Sequence, residues 1–235
     1  MKIVPKQASG SEKKRGPTSS WDVVVLSFKL FYQQLQYWIG PNILMVLLSL
    51  PVITAPAAAA ALHQTIAAGL RDPARIRTNT VQEMKKGFFT HFWRALALAL
   101  MNGLVFLIML TSLWFWISRD TWLLRSVSIF SLYGLVMWWL SIGHLYPILI
   151  EKPESNVYQV IKAAALLAFR RPFESLLFAT VSTLLFFLGL ILLGPILLVI
   201  PALRSVLHLH GYWYLTGRVI PGFIDPVEYT EKYYP

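Results

Sequence analysis

The chain has 235 residues, of which 56% are hydrophobic and 14% are charged, and its formal net charge is +10. Soluble domains carry about 25% charged residues, so this composition excludes an ordinary water-soluble fold and predicts a protein embedded in the lipid bilayer. Lys and Arg fall between apolar runs and form no basic stripe on a soluble module, which excludes nucleic acid as the expected partner. The chain contains no cysteine, which excludes disulfides and thiolate chemistry.

The N-terminal segment, residues 1–20, is polar, basic and rich in small side chains, as is typical of a disordered tail, and it lacks the apolar core of a signal peptide. The next segment, Trp21–Trp38, contains Lys29 and several glutamines among apolar residues. This mixture favours an amphipathic helix at the membrane interface over a further crossing. A helical membrane domain is expected over residues 21–217, and a C-terminal tail over residues 218–235.

The first membrane element is predicted over residues 41–70, a stretch that has Asn42 near its start and contains no charged residue. Pro51 removes one backbone donor and clashes with the preceding turn, so the helix must kink or break near it. Pro56 fits the first turn of a second helix if Thr54 is its N-cap. Because lipid offers no hydrogen bonds, the freed backbone groups need partners, and the element is expected to pack against protein.

Four further membrane helices are predicted from apolar runs of about 20 residues, the length that spans a bilayer. The pair Gly194-Pro195 interrupts the last long run and separates two helices joined by a tight turn. The four helices are expected at residues 95–117, 126–150, 175–193 and 195–216. The predicted fold is an all-α, polytopic transmembrane helical bundle of about five membrane helices, with a Pro-broken first helix and amphipathic surface helices.

Two basic loops are predicted to contain the surface helices. Thr80 and Glu83 have the spacing of a capping box in the first loop, and Asn156 can cap a helix in the second, whose apolar face continues to Ala168. Cytoplasmic loops carry an excess of Lys and Arg, so both loops and the C-terminus of this expected inner-membrane protein are predicted to be cytoplasmic.

The basic N-terminal segment also favours the cytoplasm, although five full crossings would place the two ends on opposite sides. Three alternative arrangements would resolve this conflict. Residues 41–70 form a re-entrant hairpin, or Trp21–Trp38 adds a crossing, or the tail is translocated.

A short motif occurs twice in the chain. PAAAAALHQ from Pro56 and PALRSVLHL from Pro201 both open with Pro-Ala and place a histidine seven residues after the proline, at His63 and His208. A looser relative, SIGHLYPIL, contains His144. Internal repeats are common in transporter folds, so the motif is consistent with a duplicated membrane unit; a chance match between short Ala/Leu-rich segments is the alternative.

One charged residue, Arg204, lies inside the last apolar run and shares a helix face with His208. An unpaired cation at membrane depth costs about 2.5 kcal/mol or more, so its side chain should face the bundle interior or water. Together with His63, His144 and Asn102, it is predicted to line an intramembrane pocket that binds an anionic group. The alternative is that Arg204 lies near an interface and reaches water, while His208 bonds a carbonyl.

The predicted membrane helices lack the residues that catalysis and metal binding require. They contain no Asp or Glu, so a paired-carboxylate acid/base site and a carboxylate metal site have no ligands there. His208 and His210 are two residues apart and diverge on a helix, unlike the i, i+4 pairs that bind zinc. We therefore expect no enzymatic activity, no cofactor and no metal ion.

Several segments share a pattern with a known family: Asn42, Ser49-Leu50-Pro51, Thr54 and Pro56-Ala57 in the first element, then EMKKGFFTHFWRA and LYPILIEKPESNVYQVIKAA. On these residues the chain from about Trp21 to Gly217 resembles the YesL-like family of bacterial membrane proteins. It differs at Ala55, where that family usually has Gly, and at Met45, where Trp is usual. Members are often associated with carbohydrate uptake, so the resemblance implies a transport accessory without established biochemical activity.

The leading hypothesis is therefore a non-catalytic accessory of solute uptake, whose partners are the lipid bilayer and transporter subunits or another membrane protein. The second hypothesis is a scaffold or assembly protein for a membrane complex. The third, a lipid-modifying membrane enzyme, comes last because carboxylates and metal ligands are missing from the predicted helices.

Overall fold

Helices account for almost all of residues 19–191 and 199–221, the parts of the chain that this computed structural model describes, and no strand occurs within them. Their bounds in chain order are α1 Ser20–Gln33, α2 Leu35–Leu48, α3 Ala55–Arg71, α4 Pro73–Ile117, α5 Trp122–Ser126, α6 Ser128–Glu151, α7 Val157–Arg170, α8 Pro172–Ile191 and α9 Ile200–Leu215. The predicted all-α fold is confirmed for these residues.

Three helical segments of the described chain are long and apolar enough to cross a membrane: Asn79–Ile117, Trp122–Glu151 and Pro172–Ile191. Only 6% of the most apolar stretch of the first segment is buried inside the protein, so its apolar side chains face outwards. Such an extensive apolar surface marks contact with lipid or with another protein. The expectation of membrane helices is confirmed at this level, whereas α3 and α9, with 17 and 16 residues, fall below spanning length.

Helices α3, α6 and α9 run in the same direction, and α4 and α8 run opposite to them. His63 of α3 stacks on Tyr146 of α6, and Arg71 at the end of α3 pairs with Glu151 at the end of α6, so α3 and α6 are parallel. The Trp213 indole near the end of α9 donates to the same carboxylate. The antiparallel pairs are fixed by the contacts Ser112–Ser131 and Asn102–Trp138 for α4 and α6, and by Phe178–Gly211 and Gly189–Ile200 for α8 and α9.

The centre of the bundle is the alanine-rich helix α3. Its buried residues include Ala57, Ala58, Ala60 and Ala61, none of which is more than 1% exposed. Small side chains let helix backbones approach closely, which is how helices associate inside membranes where the hydrophobic effect between them is weak. The run of alanines therefore explains why α3 contacts α2, α4, α6 and α9 at once.

Gly87 of α4 shows how close this packing is. A Cβ added there would lie 3.0 Å from the Cα of Ala61 and 3.3 Å from the Gln64 side chain. Since a backbone atom cannot swing aside, we expect Gly87→Val to lower the free energy of unfolding by about 1–3 kcal/mol. Gly103 on the same helix has nothing within 4 Å of an added Cβ, so Gly103→Val is the matched control. Thermal unfolding in detergent measures both variants, and an equal loss of stability in the two would contradict this packing.

The chain around Pro51 leaves the α-helical path between α2 and α3. A single turn of 3-10 helix covers Val52–Thr54. Thr54 occupies the predicted N-cap position of α3, but its hydroxyl makes no capping bond. It donates instead to the carbonyl oxygens of Leu48 and, at 2.7 Å, of Pro51. A hydroxyl thus satisfies the carbonyls left over at this break, as a segment without water partners requires.

The segment predicted as one interfacial helix, Trp21–Trp38, is divided between α1 and α2 at Gln34. One face of α1 is buried against α9, where the Ser27 hydroxyl lies 2.9 Å from His210 Nδ1. The opposite face is open, with Trp21 57% exposed. The helix is therefore part of the bundle on one side, a docking that its own sequence pattern does not specify.

Of the two surface helices predicted in the basic loops, one is part of a longer helix and the other is a separate helix. Helix α4 continues from Pro73 through the expected start at Thr80, with only Asn79 departing from helical geometry, so the basic segment and the membrane segment form one kinked helix. Helix α7 begins after Asn156 as predicted and buries Val160, Ala164 and Ala168. The predicted break at Gly194 and Pro195 lies outside the described residues.

Candidate functional site

Four helices place polar side chains in one buried cluster. α3 contributes His63, α6 His144, α8 Ser182, and α9 Arg204 and His208, and we call this set the polar cluster. Pro56 and Pro201 each lie in the first turn of their helix, so the histidine seven residues later lies two turns in on both. Because α3 and α9 are parallel, the two imidazoles meet, with ring centroids 5.9 Å apart and planes 17° apart.

A chain of hydrogen bonds joins α8 to α9 in this cluster. Arg204 Nε donates to Ser182 Oγ at 3.0 Å, and the same oxygen lies 2.8 Å from His208 Nε2. The serine hydroxyl can accept from the guanidinium and donate to the imidazole at the same time. Ser182 therefore fixes the direction of both side chains of α9.

His63 is held in one tautomer by its partners. Its Nδ1 lies 2.9 Å from the Ala59 carbonyl oxygen and 3.3 Å from Ser205 Oγ, and that hydroxyl donates to the Pro201 carbonyl. Since both partner oxygens are available only as acceptors, Nδ1 carries the proton. Nε2 of the neutral ring is then an acceptor, and no hydrogen-bond partner contacts it among the described residues.

His144 lies beside this pair on α6. Its Nε2 is 3.3 Å from Ser175 Oγ, while its Nδ1 is buried and has no partner in the described part of the chain. The neighbouring Gly143 brings α6 against α9, because a Cβ there would be 3.3 Å from the His208 ring. Tyr146, three residues further along the same face, stacks on His63 with a centroid distance of 5.1 Å.

Arg204 is the one cation of the cluster, and the described residues give it no acidic partner. Its hydrogen-bond partner Ser182 lies midway along α8, a helix of membrane-spanning length. Its guanidinium also lies 5.4 Å from the ring centroid of Phe186 on that helix. The bond to Ser182 places the guanidinium away from both ends of α8, and the half-exposed Phe186 ring places it at the outer edge of the α8–α9 pair.

Asn102 is not part of the cluster. Its Oδ1 accepts a hydrogen bond of 2.9 Å from Trp138 Nε1, and Phe106 one turn on stacks on the same indole. Asn102 therefore ties α4 to α6 at a different interface. The structure brings together four of the five residues predicted to line the pocket and leaves this one apart.

Asn42, assigned above to the motif of the first element, is fully buried in α2. Neither its Oδ1 nor its Nδ2 has a hydrogen-bond partner among the described residues, and the nearby Trp38 Nε1 is in the same condition. Buried polar groups are normally paired, so these atoms are expected to bond water or a group outside the described residues.

A second buried polar group joins the C-terminal ends of the three parallel helices. The carboxylate of Glu151, only 7% exposed, pairs with Arg71 and, at 2.7 Å, with Arg218, and it accepts from Trp213 Nε1 at 3.3 Å. We call this set the Glu151 junction. The sequence shows Glu151 only as an acid at a helix end, and nothing near it in the sequence indicates that its three partners lie in and just after two distant helices.

Three residues in or beside the polar cluster were not predicted from the sequence: Ser182, Ser205 and Tyr146. A signal was present for Ser205, which follows Arg204 and lies one turn before His208, and for Tyr146, which shares a helix face with Gly143. Within the described residues, no group of three or more His, Asp or Glu side chains has an arrangement that could hold a metal ion.

Comparison of the chain with protein-family models, with curated proteins and with solved structures finds no match.

Proposed function

We propose that this protein is a multi-pass protein of the bacterial inner membrane that acts as an accessory component of solute uptake, with carbohydrate as the solute class and without catalytic activity of its own. The proposed bundle has about five membrane elements: the Pro-broken pair α2 and α3, then α4, α6, α8 and α9. The basic loops and the C-terminus lie in the cytoplasm. The partners are the lipid bilayer and the subunits of a transporter.

The observation that supports this role most strongly is Arg204, a cation bonded to the middle of α8 and surrounded by histidine and serine side chains. Charged residues at membrane depth are costly, and where they occur they mark solute paths, relays or ligand contacts. A protein that only held others together would not need one. The family resemblance described in the sequence analysis adds the carbohydrate class to this inference.

The positions of exposed aromatic residues support the membrane placement of α4. Trp93 and Trp114 are 76% and 73% exposed, and tryptophan is enriched at both membrane–water interfaces. The helix between them measures roughly 30 Å, which matches the hydrocarbon core of a bilayer. Arg94 then lies at the end of the span that carries the basic loop.

The test of the role is a pull-down from native membranes combined with reconstitution. Subunits of a carbohydrate transporter should co-purify with the tagged protein, and liposomes that contain the protein alone should show no solute flux. Flux in those liposomes would make it a carrier in its own right. Co-purification with a complex unrelated to uptake would support the scaffold hypothesis, and turnover of lipid by the purified protein would support the enzyme hypothesis.

The absence of cysteine makes the proposed orientation directly measurable. In intact cells, an impermeant thiol reagent should label Thr121→Cys, in the connection after α4, and should not label Glu154→Cys in the basic loop before α7. Ser9→Cys separates the arrangements of the first element, since protection supports a re-entrant hairpin or an added crossing and labelling supports a translocated tail. Labelling of Glu154→Cys without labelling of Thr121→Cys would reverse the proposed orientation.

A further inference from the structure

We infer that Arg204 and the side chains around it form a binding site for an oxyanion, a carboxylate or phosphate group carried either by a solute or by a lipid. The inference deepens the proposed function and rests on its membrane placement. It names the chemical class of ligand that the polar cluster accepts.

The charge of the cluster is unbalanced. Arg204 brings a permanent positive charge, its neighbours Ser182 and His208 are neutral or basic, and no carboxylate of the described chain pairs with it. A cation in such a position is stable when an anion joins it, because separating a single charge from water in a low-dielectric setting is costly. The missing charge is therefore expected to come from a ligand.

The guanidinium also has hydrogen-bonding capacity to spare. Among the described residues its one hydrogen bond uses Nε, which donates to Ser182, and this leaves the two terminal nitrogens without a protein acceptor. Those terminal groups form the planar fork that binds carboxylate and phosphate oxygens bidentately. Anchoring of Nε by Ser182 fixes the direction of the fork before a ligand arrives.

Two further buried atoms of the cluster have no hydrogen-bond partner among the described residues, independently of Arg204. They are His63 Nε2 and His144 Nδ1, in side chains that are 6% and 3% exposed. Buried imidazole nitrogens are ordinarily satisfied by protein or by ordered water, so two orphans beside an unpaired arginine indicate that the cluster is completed by a polar molecule. A polar ligand or the water that accompanies it supplies those bonds.

The contacts of Arg204 also indicate a route to the site. Phe186, whose ring lies 5.4 Å from the guanidinium, is 50% exposed on the outer surface of α8. Arg204 thus lies near the outer edge of the α8–α9 pair and is not sealed in the bundle centre. An anion can approach along this edge, whether it comes from an aqueous path or from a lipid headgroup.

The experiment measures binding of defined oxyanions to the purified full-length protein. In a neutral detergent, equilibrium dialysis against radiolabelled inorganic phosphate and acetate tests the free-anion source. Native mass spectrometry from phosphatidylcholine nanodiscs containing a minor fraction of phosphatidic acid tests the lipid source. We expect saturable binding in at least one arm, and the arm in which it occurs identifies the source.

The variants assign binding to the site. Arg204→Gln should weaken binding at least about tenfold, the effect of losing one bidentate charge-assisted contact. Arg125→Gln is the matched control and should bind as the wild type does, because Arg125 also uses Nε to bond an oxygen, the Arg119 carbonyl, but is exposed. Ser182→Ala keeps the charge of Arg204 and removes only the hydrogen-bond acceptor of its Nε, so it should weaken binding by a smaller factor. This variant replaces Arg204→Gln in the test if Arg204→Gln does not fold.

Saturable binding that falls in Arg204→Gln or Ser182→Ala and persists in Arg125→Gln supports the site. Absence of binding of all three probes to the wild type overturns it, as does equal binding by folded Arg204→Gln. The proposed role has a separate readout. Oxyanion binding without co-purified uptake subunits would contradict the accessory role and support the site. Co-purification without oxyanion binding would support the accessory role and contradict the site.

Discussion

Glu151→Ala should destabilise the bundle more than any other single substitution of an acidic residue in the described chain. The carboxylate, 7% exposed, holds Arg71 at the end of α3 and Arg218 beyond the end of α9, and it accepts from Trp213. Breaking a buried pair costs about 3–5 kcal/mol. Because Arg71 and Arg218 are 52% and 43% exposed and stay hydrated, we expect a loss of about 2 kcal/mol in the free energy of unfolding.

Thermal and denaturant unfolding of the protein in detergent measure this loss. Glu154→Ala, an exposed acid three residues further on, is the control and should change stability by less than about 0.5 kcal/mol. Glu151→Gln keeps an oxygen for the Trp213 indole and should lie between the alanine variant and the wild type. A Glu151→Ala protein as stable as Glu154→Ala would show that the junction does not hold the helix ends together.

Arg204→Leu should separate stability from function. Removing a cation from membrane depth relieves a cost of about 2.5 kcal/mol or more, while the lost hydrogen bond to Ser182 offsets about 1.5–3 kcal/mol of that gain. The variant is therefore expected to express and unfold much as the wild type does. Under the proposed accessory role, its ability to support solute uptake should be abolished, since the one charged side chain of the polar cluster is gone.

Complementation of a deletion strain, scored as growth on a panel of carbohydrates, measures this loss, and membrane fractionation confirms equal amounts of protein. Asn102→Leu is the informative companion. Asn102 bonds Trp138 at the α4–α6 interface, away from the cluster, so its loss should affect stability and leave uptake support in place. Full complementation by Arg204→Leu would show that the charge of the polar cluster is not needed for function.

The parts of the fold that could be predicted are those governed by short-range rules. A proline fixes where a helix restarts, and the helical repeat then fixes the face and depth of a residue seven positions later. The repeated Pro-Ala opening therefore placed His63 and His208 at equal depth, and only the parallel direction of α3 and α9 was needed for their rings to meet. Composition alone indicated the membrane-length helices.

The rest depended on which helix faces meet, and the sequence does not encode that locally. Ser182 lies in an apolar run where a serine is commonplace, and it gains a role only because α8 brings it to Arg204. Asn102 is likewise a single polar residue in an apolar run, but it faces Trp138 of α6 and not the polar cluster. The docking of α1 on α9 through Ser27 and His210 joins the two ends of the described chain and could not be read from either segment.

The common direction of α3, α6 and α9 has an electrostatic consequence. The C-terminal ends of these three helices, each with a partial negative charge, lie at one end of the bundle. Arg71 and Arg218 lie at that end, where their positive charges offset these partial charges, and under the proposed orientation they also belong to the basic cytoplasmic flank. Under the proposed orientation, reversing their charge should therefore disturb the folded state and the direction of insertion together.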